Sequence, residues 1–403
     1  MSSGFLHVPY ARSVHGEEEL EAVCRVIRST TQMGAHTRKF EERVAKLFGK
    51  RHGIAVNSGT SALLIAVELL DLPPGSEVIT PALTFATTVG ALVKRGLVPA
   101  FVDSLEGTYN IDPAQIEEMI TPRTRAMLVP NLVGGLPDWD ALAEIARRHD
   151  LALIEDSADT IGATLRGEPT GTRSTVSTSS FYGSHIMNCA GNGGILCVDD
   201  PALAERAMLL RSWGRRSSLI SDDASALEER FNAELEGIPY DAKFVFDEIG
   251  YNVEPSELGS AFGLVQLDRL EENIALRIQH FQSQYDFFAK YEEWFVLPRP
   301  LPEARSAWLA FPLTIRESAP FSRRELQLFL ERRNIQTRPI LAGNILRQPG
   351  FRQIERRARP EGYPEADRVT RGGILLACHH GLDAEMLQHV HASFEAFTAG
   401  LLS

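Results

Sequence analysis

An α/β fold is predicted for this chain, with a large domain on a mostly parallel central sheet (residues 1–270) and a smaller C-terminal α/β domain (residues 271–403). Three observations carry the prediction. Short apolar runs alternate with helix-prone segments through the first half of the chain, the pattern that winds a parallel sheet between helices. Several of these runs stop at a proline or in carboxylates, and ligands gather outside the carboxyl ends of such strands. A long helical stretch from Glu257 to Tyr291, with charges grouped at Asp268, Arg269, Glu271 and Glu272, then precedes a second strand-and-helix pattern that begins near Phe295.

Element by element, Glu41 to Phe48 is amphipathic and predicts a helix. Gly53-Ile54-Ala55-Val56 is a short strand, and Ser61 to Leu70 is apolar and helix-prone. Glu77-Val78-Ile79-Thr80 is a strand stopped at Pro81, which cannot donate to a ladder. Pro99-Ala100-Phe101-Val102-Asp103 and Ala126-Met127-Leu128-Val129-Pro130 add two more strands. Trp139 to Arg148 predicts a helix, and Ala152-Leu153-Ile154-Glu155-Asp156 a strand ending in two carboxylates. The polar stretch Arg215 to Glu229 predicts the longest loop.

Composition excludes several functions. The balance of 41 basic against 53 acidic residues gives a formal charge of -12, which argues against non-specific binding of nucleic acid or anionic membrane. Cys24, Cys189, Cys197 and Cys378 are scattered without a CxxC pair, so neither a disulfide framework nor a metal site is expected. Met1-Ser2-Ser3-Gly4-Phe5-Leu6 lacks the basic start and apolar stretch of a signal peptide, and no apolar run approaches the ~20 residues of a membrane span. A reduced, cytoplasmic protein is expected.

Four local features converge on a cofactor site. Asn57-Ser58-Gly59-Thr60-Ser61 lies between a strand and a helix, where small residues let backbone N–H groups approach a phosphate and hydroxyls add donors. Asp156 ends a buried strand, where a carboxylate can keep a pyridine nitrogen protonated. Phe85 follows Pro81-Ala82-Leu83-Thr84 and can stack on a flat ring. Ser177 to Gly194 holds Ser180, then His185, then the turn Gly191-Asn192-Gly193-Gly194. Alone, each has a plain structural meaning: an N-cap, a turn-capping aspartate, a core aromatic, a structural histidine. In this order they are far more specific.

With these motifs the chain resembles the DegT/DnrJ/StrS sugar aminotransferase family, pyridoxal-phosphate enzymes with the fold of aspartate aminotransferase (fold type I). The resemblance runs from Thr37-Arg38-Lys39-Phe40-Glu41 to the C-terminal domain, through Asn57 to Ala62, Glu155-Asp156-Ser157-Ala158-Asp159, Ser180-Phe181-Tyr182 and Gly250-Tyr251-Asn252. It implies that Gly59, Thr60 and Ser180 serve the cofactor phosphate, that Phe85 stacks on the ring and that Asp156 meets the pyridine nitrogen, with Ser58 and Asp159 also expected among the cofactor-binding residues. It also implies that Asn252 reaches the cofactor of a neighbouring subunit, so that the active unit is a homodimer.

At His185 the family's aminotransferases carry the lysine that holds the cofactor covalently. An imidazole cannot form that stable bond, yet it moves protons near neutral pH. This substitution resembles the 3-dehydratase branch, which acts on nucleotide-linked 4-keto-6-deoxyhexoses. Asp159, replacing the usual glutamine, favours the branch, as does Gly237 to Lys243 ahead of Gly250. So does Arg338 to Asn344 followed by Arg347-Gln348-Pro349, whose Arg338, Asn344 and Arg347 are the expected sugar-nucleotide residues. The departures are informative too. The branch's iron–sulfur members carry clustered cysteines after the Trp213-Gly214-Arg215 match, whereas residues 216–229 contain none. No iron–sulfur cluster is therefore expected, nor an electron-transfer partner. Asn192 replaces an acidic residue, and Ile186 a second histidine of some members.

The expected function is a pyridoxamine/pyridoxal-phosphate 3-dehydratase with His185 as proton-transfer base and Asp156 keeping the ring electron-withdrawing. Its partners would be a nucleotide sugar and glutamate as amino donor, with no metal. Two alternatives remain: a sugar aminotransferase or related cofactor enzyme in which another lysine, or none, serves, Lys243 being the nearest in sequence, and a non-catalytic regulator that binds cofactor or sugar nucleotide.

Overall fold

The computed structural model describes residues 4–219 and 230–401. Helices α1 (Glu17–Ile27) and α2 (Ala35–Leu47) lead into β1 (His52–Val56), α3 (Gly59–Leu69), β2 (Glu77–Pro81), α4 (Ala86–Lys94) and β3 (Val98–Val102). Next come β4 (Thr124–Pro130), α5 (Trp139–His149), β5 (Ala152–Ser157), two short strands β6 (Thr164–Leu165) and β7 (Glu168–Pro169), and then β8 (Val176–Ser180), β9 (Gly194–Val198) and α6 (Pro201–Arg211). The seven-stranded sheet has the order β1-β9-β8-β5-β4-β2-β3. Its run from β8 to β3 is parallel, and β9 is antiparallel to both neighbours.

Period-two alternation explains why these strands read as almost continuous apolar runs. Leu128 and Ile154 pack on one face beneath α3 and α6, whereas Met127, Val129 and Leu153 pack on the other against Trp139, Leu142 and Ile145 of α5. A sheet covered on both faces needs apolar side chains at every position. The predicted strands β1 to β5 are all present, with ends displaced by at most two residues. The helix predicted from Glu41 begins earlier, at Ala35, because Phe40 and Thr37 are also buried. The stretch from Glu257 is two helices, α7 (Glu257–Asp268) and α8 (Leu270–Phe288), broken at Arg269. The predicted loop from Arg215 holds a 3-10 turn at Arg216–Leu219, and its remainder, 220–229, lies outside the described residues.

Beyond that gap β10 (Ala233–Leu235) and β11 (Ile238–Tyr240) form a surface hairpin. The C-terminal part builds a three-stranded antiparallel sheet from β12 (Phe295–Val296), β14 (Phe311–Ile315) and β15 (Gly373–Leu376), while β13 (Ala304–Arg305) pairs with β6. Helices α9 (Arg323–Arg332), α10 (Pro364–Gly372) and α11 (Ala384–Leu401) complete it. The N-terminal segment crosses onto this part: Val8 is fully buried and bridges to Ile335 in parallel. One apolar cluster consequently joins Val8, Leu83 and Phe101 to Phe311, Ile335 and Leu375.

Candidate active site

The carboxyl ends of β4 and β5 open into a cavity of ≈ 510 Å³ lined from both ends of the chain. Asp156 is a buried part of its lining. One carboxylate oxygen accepts from Thr88 Oγ1 of α4 at 2.8 Å, and the other from the Ala158 N–H at 3.2 Å. Burial, opposed by the Thr88 bond and reinforced by the charge of Asp159, pushes Asp156 up to about 6. Asp159, whose second oxygen is held by the Val133 N–H at 2.8 Å, is likewise pushed to about 6 by burial. Two poorly solvated carboxylates in one cavity favour a cationic N–H partner.

The N-terminus of α3 lines the same cavity. Ser58 caps the helix through its hydroxyl, which accepts from the Ser61 N–H at 3.2 Å, and the first helical bond runs from Ala62 N–H to Ser58 O. Gly59 and Thr60 therefore present N–H groups that precede the intrahelical ladder, where the helix dipole also favours an anion. A Cβ at Gly59 would stand 2.6 Å from Ser180 Cβ, so only glycine lets helix and strand β8 converge here. Likewise a Cβ at Gly194 would lie 2.2 Å from Ser58 O, which explains the glycine where β9 begins. Ser61 is turned away, bonded to Asn57 Oδ1 at 2.6 Å. Phe85, the N-cap of α4, is 49% exposed and lines the cavity.

His185 stands on the loop between β8 and β9, which is closed by Phe181 N–H to Gly193 O and Gly183 N–H to Gly191 O, both 2.9 Å. Its Nδ1 lies 3.1 Å from the Ser180 carbonyl oxygen. A carbonyl only accepts, so Nδ1 carries the proton and Nε2 keeps a free lone pair. Burial, with a smaller contribution from the Arg277 charge, pushes the imidazole down to about 4. It is neutral at physiological pH and able to accept a proton.

The cavity thus gathers Ser58, Gly59, Thr60, Phe85, Asp156, Asp159, Ser180, His185 and Arg338. It also contains Tyr10, Thr88 and Asn192. Tyr10 and Thr88 carry no motif and are brought in by tertiary packing. The period of α4 alone hinted at Thr88, which lies one turn after Phe85. Asn344 and Arg347, expected from sequence to meet the sugar nucleotide, lie elsewhere, and Asn252, expected at a neighbouring subunit's cofactor, lies outside this chain's own cavity. Asn344 is 4% exposed; its side chain caps the turn at Leu346 N–H (3.1 Å) and donates to Asp367 (2.7 Å). Arg347 forms a two-pronged ion pair with the same Asp367. Asn252 bridges to Ser212 on an exposed face beside Trp213, Phe246 and Tyr251. No lysine lines the cavity among the described residues, and Lys243 occupies an exposed 3-10 turn outside it.

A flat aromatic phosphate fits this donor set: N–H groups, a hydroxyl, an aromatic ring and a buried carboxylate line one cavity. Comparison with known proteins agrees. The model of the DegT/DnrJ/EryC1/StrS aminotransferase family matches residues 13–395. A dTDP-4-dehydro-2,6-dideoxy-D-glucose 3-dehydratase of Saccharopolyspora spinosa is 36% identical over 91% of this chain and 81% of its own. A GDP-4-keto-6-deoxy-D-mannose 3-dehydratase of Yersinia pseudotuberculosis is 32% identical over 93% of this chain and 94% of its own. The solved E. coli GDP-4-keto-6-deoxy-D-mannose-3-dehydratase with bound hydrated PLP superposes with a TM-score of 0.87 at 26% identity, covering 96% of this chain and 99% of that one.

Proposed function

The chain belongs to the DegT/DnrJ/EryC1/StrS aminotransferase family, and from that premise we propose that it is a 3-dehydratase of a nucleotide-linked 4-keto-6-deoxyhexose in deoxysugar biosynthesis. The observation that carries this reading is a histidine with a free Nε2, and no lysine among the described residues, in a cavity otherwise suited to pyridoxal or pyridoxamine phosphate. When bound, the pyridoxamine form supplies an amine for the sugar's C4 ketone and a ring that draws electrons away from it.

The chain's own residues do the rest. Gly59 and Thr60 N–H groups with the Ser180 hydroxyl hold the phosphate, Phe85 covers the ring, and Asp156 keeps a proton on the pyridine nitrogen. Asp159 lies beside Asp156 as the second cofactor-side carboxylate. His185 Nε2 removes the proton at the cofactor's C4′ and returns it to the C3 oxygen of the sugar, which departs as water. A positioned imidazole contributes about 10²–10⁴-fold to such a step. Its neutrality at pH 7 is what the first half of the step requires, and a phosphate anion nearby would ease the charge it acquires. Arg338, without a carboxylate partner among the described residues, is the guanidinium available to the diphosphate.

Replacing C3–OH by C3–H is a two-electron reduction, so a donor is needed. We assign it to an amino acid such as glutamate, oxidised to its keto acid as the cofactor amine is restored and ultimately released as ammonia. No iron–sulfur cluster takes part in this reading. Cys24 is exposed on α1 and the other three cysteines are buried apart from it. Among the described residues no group of three or more His, Cys, Asp or Glu is placed to hold a metal ion. We further assign the domain boundary to residue 270, a cytoplasmic setting, and a homodimer in which the exposed aromatic face around Asn252 meets a second copy.

The test is incubation with pyridoxamine phosphate, glutamate and GDP- or dTDP-linked 4-keto-6-deoxyhexoses, with water loss followed by mass. His185→Asn retains shape without useful basicity and is expected to dehydrate at least about a hundredfold more slowly. His185→Lys should hold pyridoxal phosphate covalently, leaving a pyridoxyl-lysine after borohydride reduction, and lose most dehydration. Near wild-type dehydration in both variants would refute His185 as the base.

A further inference from the structure

Tyr10 lies 146 residues before Asp156 in sequence and yet shares its cavity. Its position is firmly determined. Val8 N–H donates to Asn334 O and Gln336 N–H to Val8 O, both at 2.9 Å, which adds the N-terminal segment as a strand-like edge along Ile335. On either side of the next peptide, the Pro9 carbonyl lies 3.0 Å from His379 Nε2 and the Tyr10 N–H donates to Gln336 Oε1 at 3.1 Å. The fully buried Val8 and His379 anchor this edge. The chain thereby spends several hydrogen bonds on presenting one side chain to the cavity.

What Tyr10 presents is a phenol beneath a cation. The Arg338 guanidinium lies 5.4 Å from the centroid of its ring, within cation–π range. Arg338 itself is held through its backbone, paired with Leu375 in both directions, and one guanidinium nitrogen donates to the Thr337 carbonyl at 2.7 Å. The phenolic oxygen has no hydrogen-bond partner among the described residues. Burial, then the Asp159 charge, raises its pKa well above the usual phenol value. The hydroxyl therefore keeps its proton at every physiological pH. It is a poor acid and a persistent donor.

We infer that Tyr10 is a sugar-recognition residue: its hydroxyl donates a hydrogen bond to an oxygen of the hexose, and its ring holds Arg338 in place for the adjoining diphosphate. This rests on the nucleotide-hexose reading above and names the residue by which the cavity distinguishes a nucleotide sugar from the bare nucleotide. The chemistry of the wall matches such a ligand. A neutral donor suits a sugar oxygen, and a guanidinium suits phosphate oxygens.

The experiment measures equilibrium binding by calorimetry to the pyridoxal-phosphate-loaded protein, which lacks the amine needed to start the reaction. The ligands are GDP and GDP-4-keto-6-deoxy-D-mannose, with the corresponding dTDP pair beside them. Tyr10→Phe should weaken the nucleotide hexose about three- to tenfold, the range of one neutral hydrogen bond, and leave the nucleoside diphosphate unchanged. Tyr10→Ala should weaken both, because Arg338 loses the ring beneath it; Arg338→Gln should also weaken both. Should Tyr10→Ala fail to fold, Tyr10→Phe alone decides, with pyridoxal-phosphate affinity as its integrity control. Unchanged hexose binding in Tyr10→Phe, an equal loss for hexose and diphosphate, or wild-type protein that binds neither nucleotide hexose would each overturn the inference. Hexose-selective loss in Tyr10→Phe alongside wild-type protein that never releases water would uphold Tyr10 while refuting the dehydratase reading.

Discussion

Glu155 and Asp156 are adjacent carboxylates at the end of one strand, and the protein uses them in opposite ways. Glu155 is fully buried and surrounded by donors: Asn131 Nδ2 at 3.0 Å, Ser157 Oγ at 2.7 Å, Thr170 Oγ1 at 2.5 Å and Ser177 Oγ at 2.9 Å. Its charge ties β5 to β8, to the turn after β4 and to the segment after β7. Asp156, one residue on, projects to the other face of the sheet and has only Thr88 and the Ala158 N–H. Burial, with few donors to offset it and a second carboxylate close by, holds it at about 6. Strand alternation separates the two by one residue, and their partners make one a structural clamp and the other a group with unmet demand for a cation.

The largest effect should come from breaking the clamp. Glu155→Gln leaves hydroxyls and an amide arranged for an anion that is no longer there, and should cost about 3 kcal/mol of folding stability in urea titrations. A change within error would mean that the four donors find other partners and that the two carboxylates are not so different.

Asp156→Asn should act in the opposite sense. A carboxylate whose folded pKa is raised contributes stability below its unfolded value, near 4, and loses it as pH rises through about 6. At pH 8 the cofactor-free Asp156→Asn protein should therefore be as stable as wild type or more so, while pyridoxal phosphate binds roughly 10- to 150-fold more weakly, the value of a hydrogen bond to a charged group. Wild-type affinity should fall as pH drops below about 6, because the carboxyl must first shed its proton, and this contribution should vanish in the variant. Fluorescence titration of cofactor binding from pH 5 to 8 measures both. Destabilisation on the scale of Glu155→Gln would sink the distinction.

Thr88→Val gives the smallest effect and sharpens the comparison. It removes the one side-chain donor that offsets burial at Asp156 and should move the acid limb of cofactor binding to higher pH. Affinity at pH 8 should decline less than about tenfold, as expected for a single hydrogen bond. An unchanged pH profile would show that Thr88 does not set the ionisation of Asp156.

Much of this site was legible in the sequence for a physical reason. The strand–glycine–helix turn at Ser58 to Thr60, the carboxylate ending β5 and the aromatic opening α4 are local arrangements, each read from neighbours within a few residues. The resemblance added the meaning of His185. Asn344 and Arg347 show where local reading stops. Asn344 and Arg347 lie in a stretch with the expected pattern, but Asp367 of α10 draws both away from the cavity. Asn252 lies on an exposed face of the single chain, where a residue proposed to serve a second copy has to lie.

The sequence by itself determined the alternation that makes this an α/β protein, the small-residue turn that opens α3, and a histidine at position 185. These follow from covalent order, because period, turn and residue identity act over short separations. Only the tertiary structure decided that Tyr10 crosses to the C-terminal sheet and enters the cavity, that Thr88 supports Asp156, and that Glu155 and Asp156 differ in role. Burial and hydrogen-bond partners set those properties, and both are supplied by segments far away along the chain.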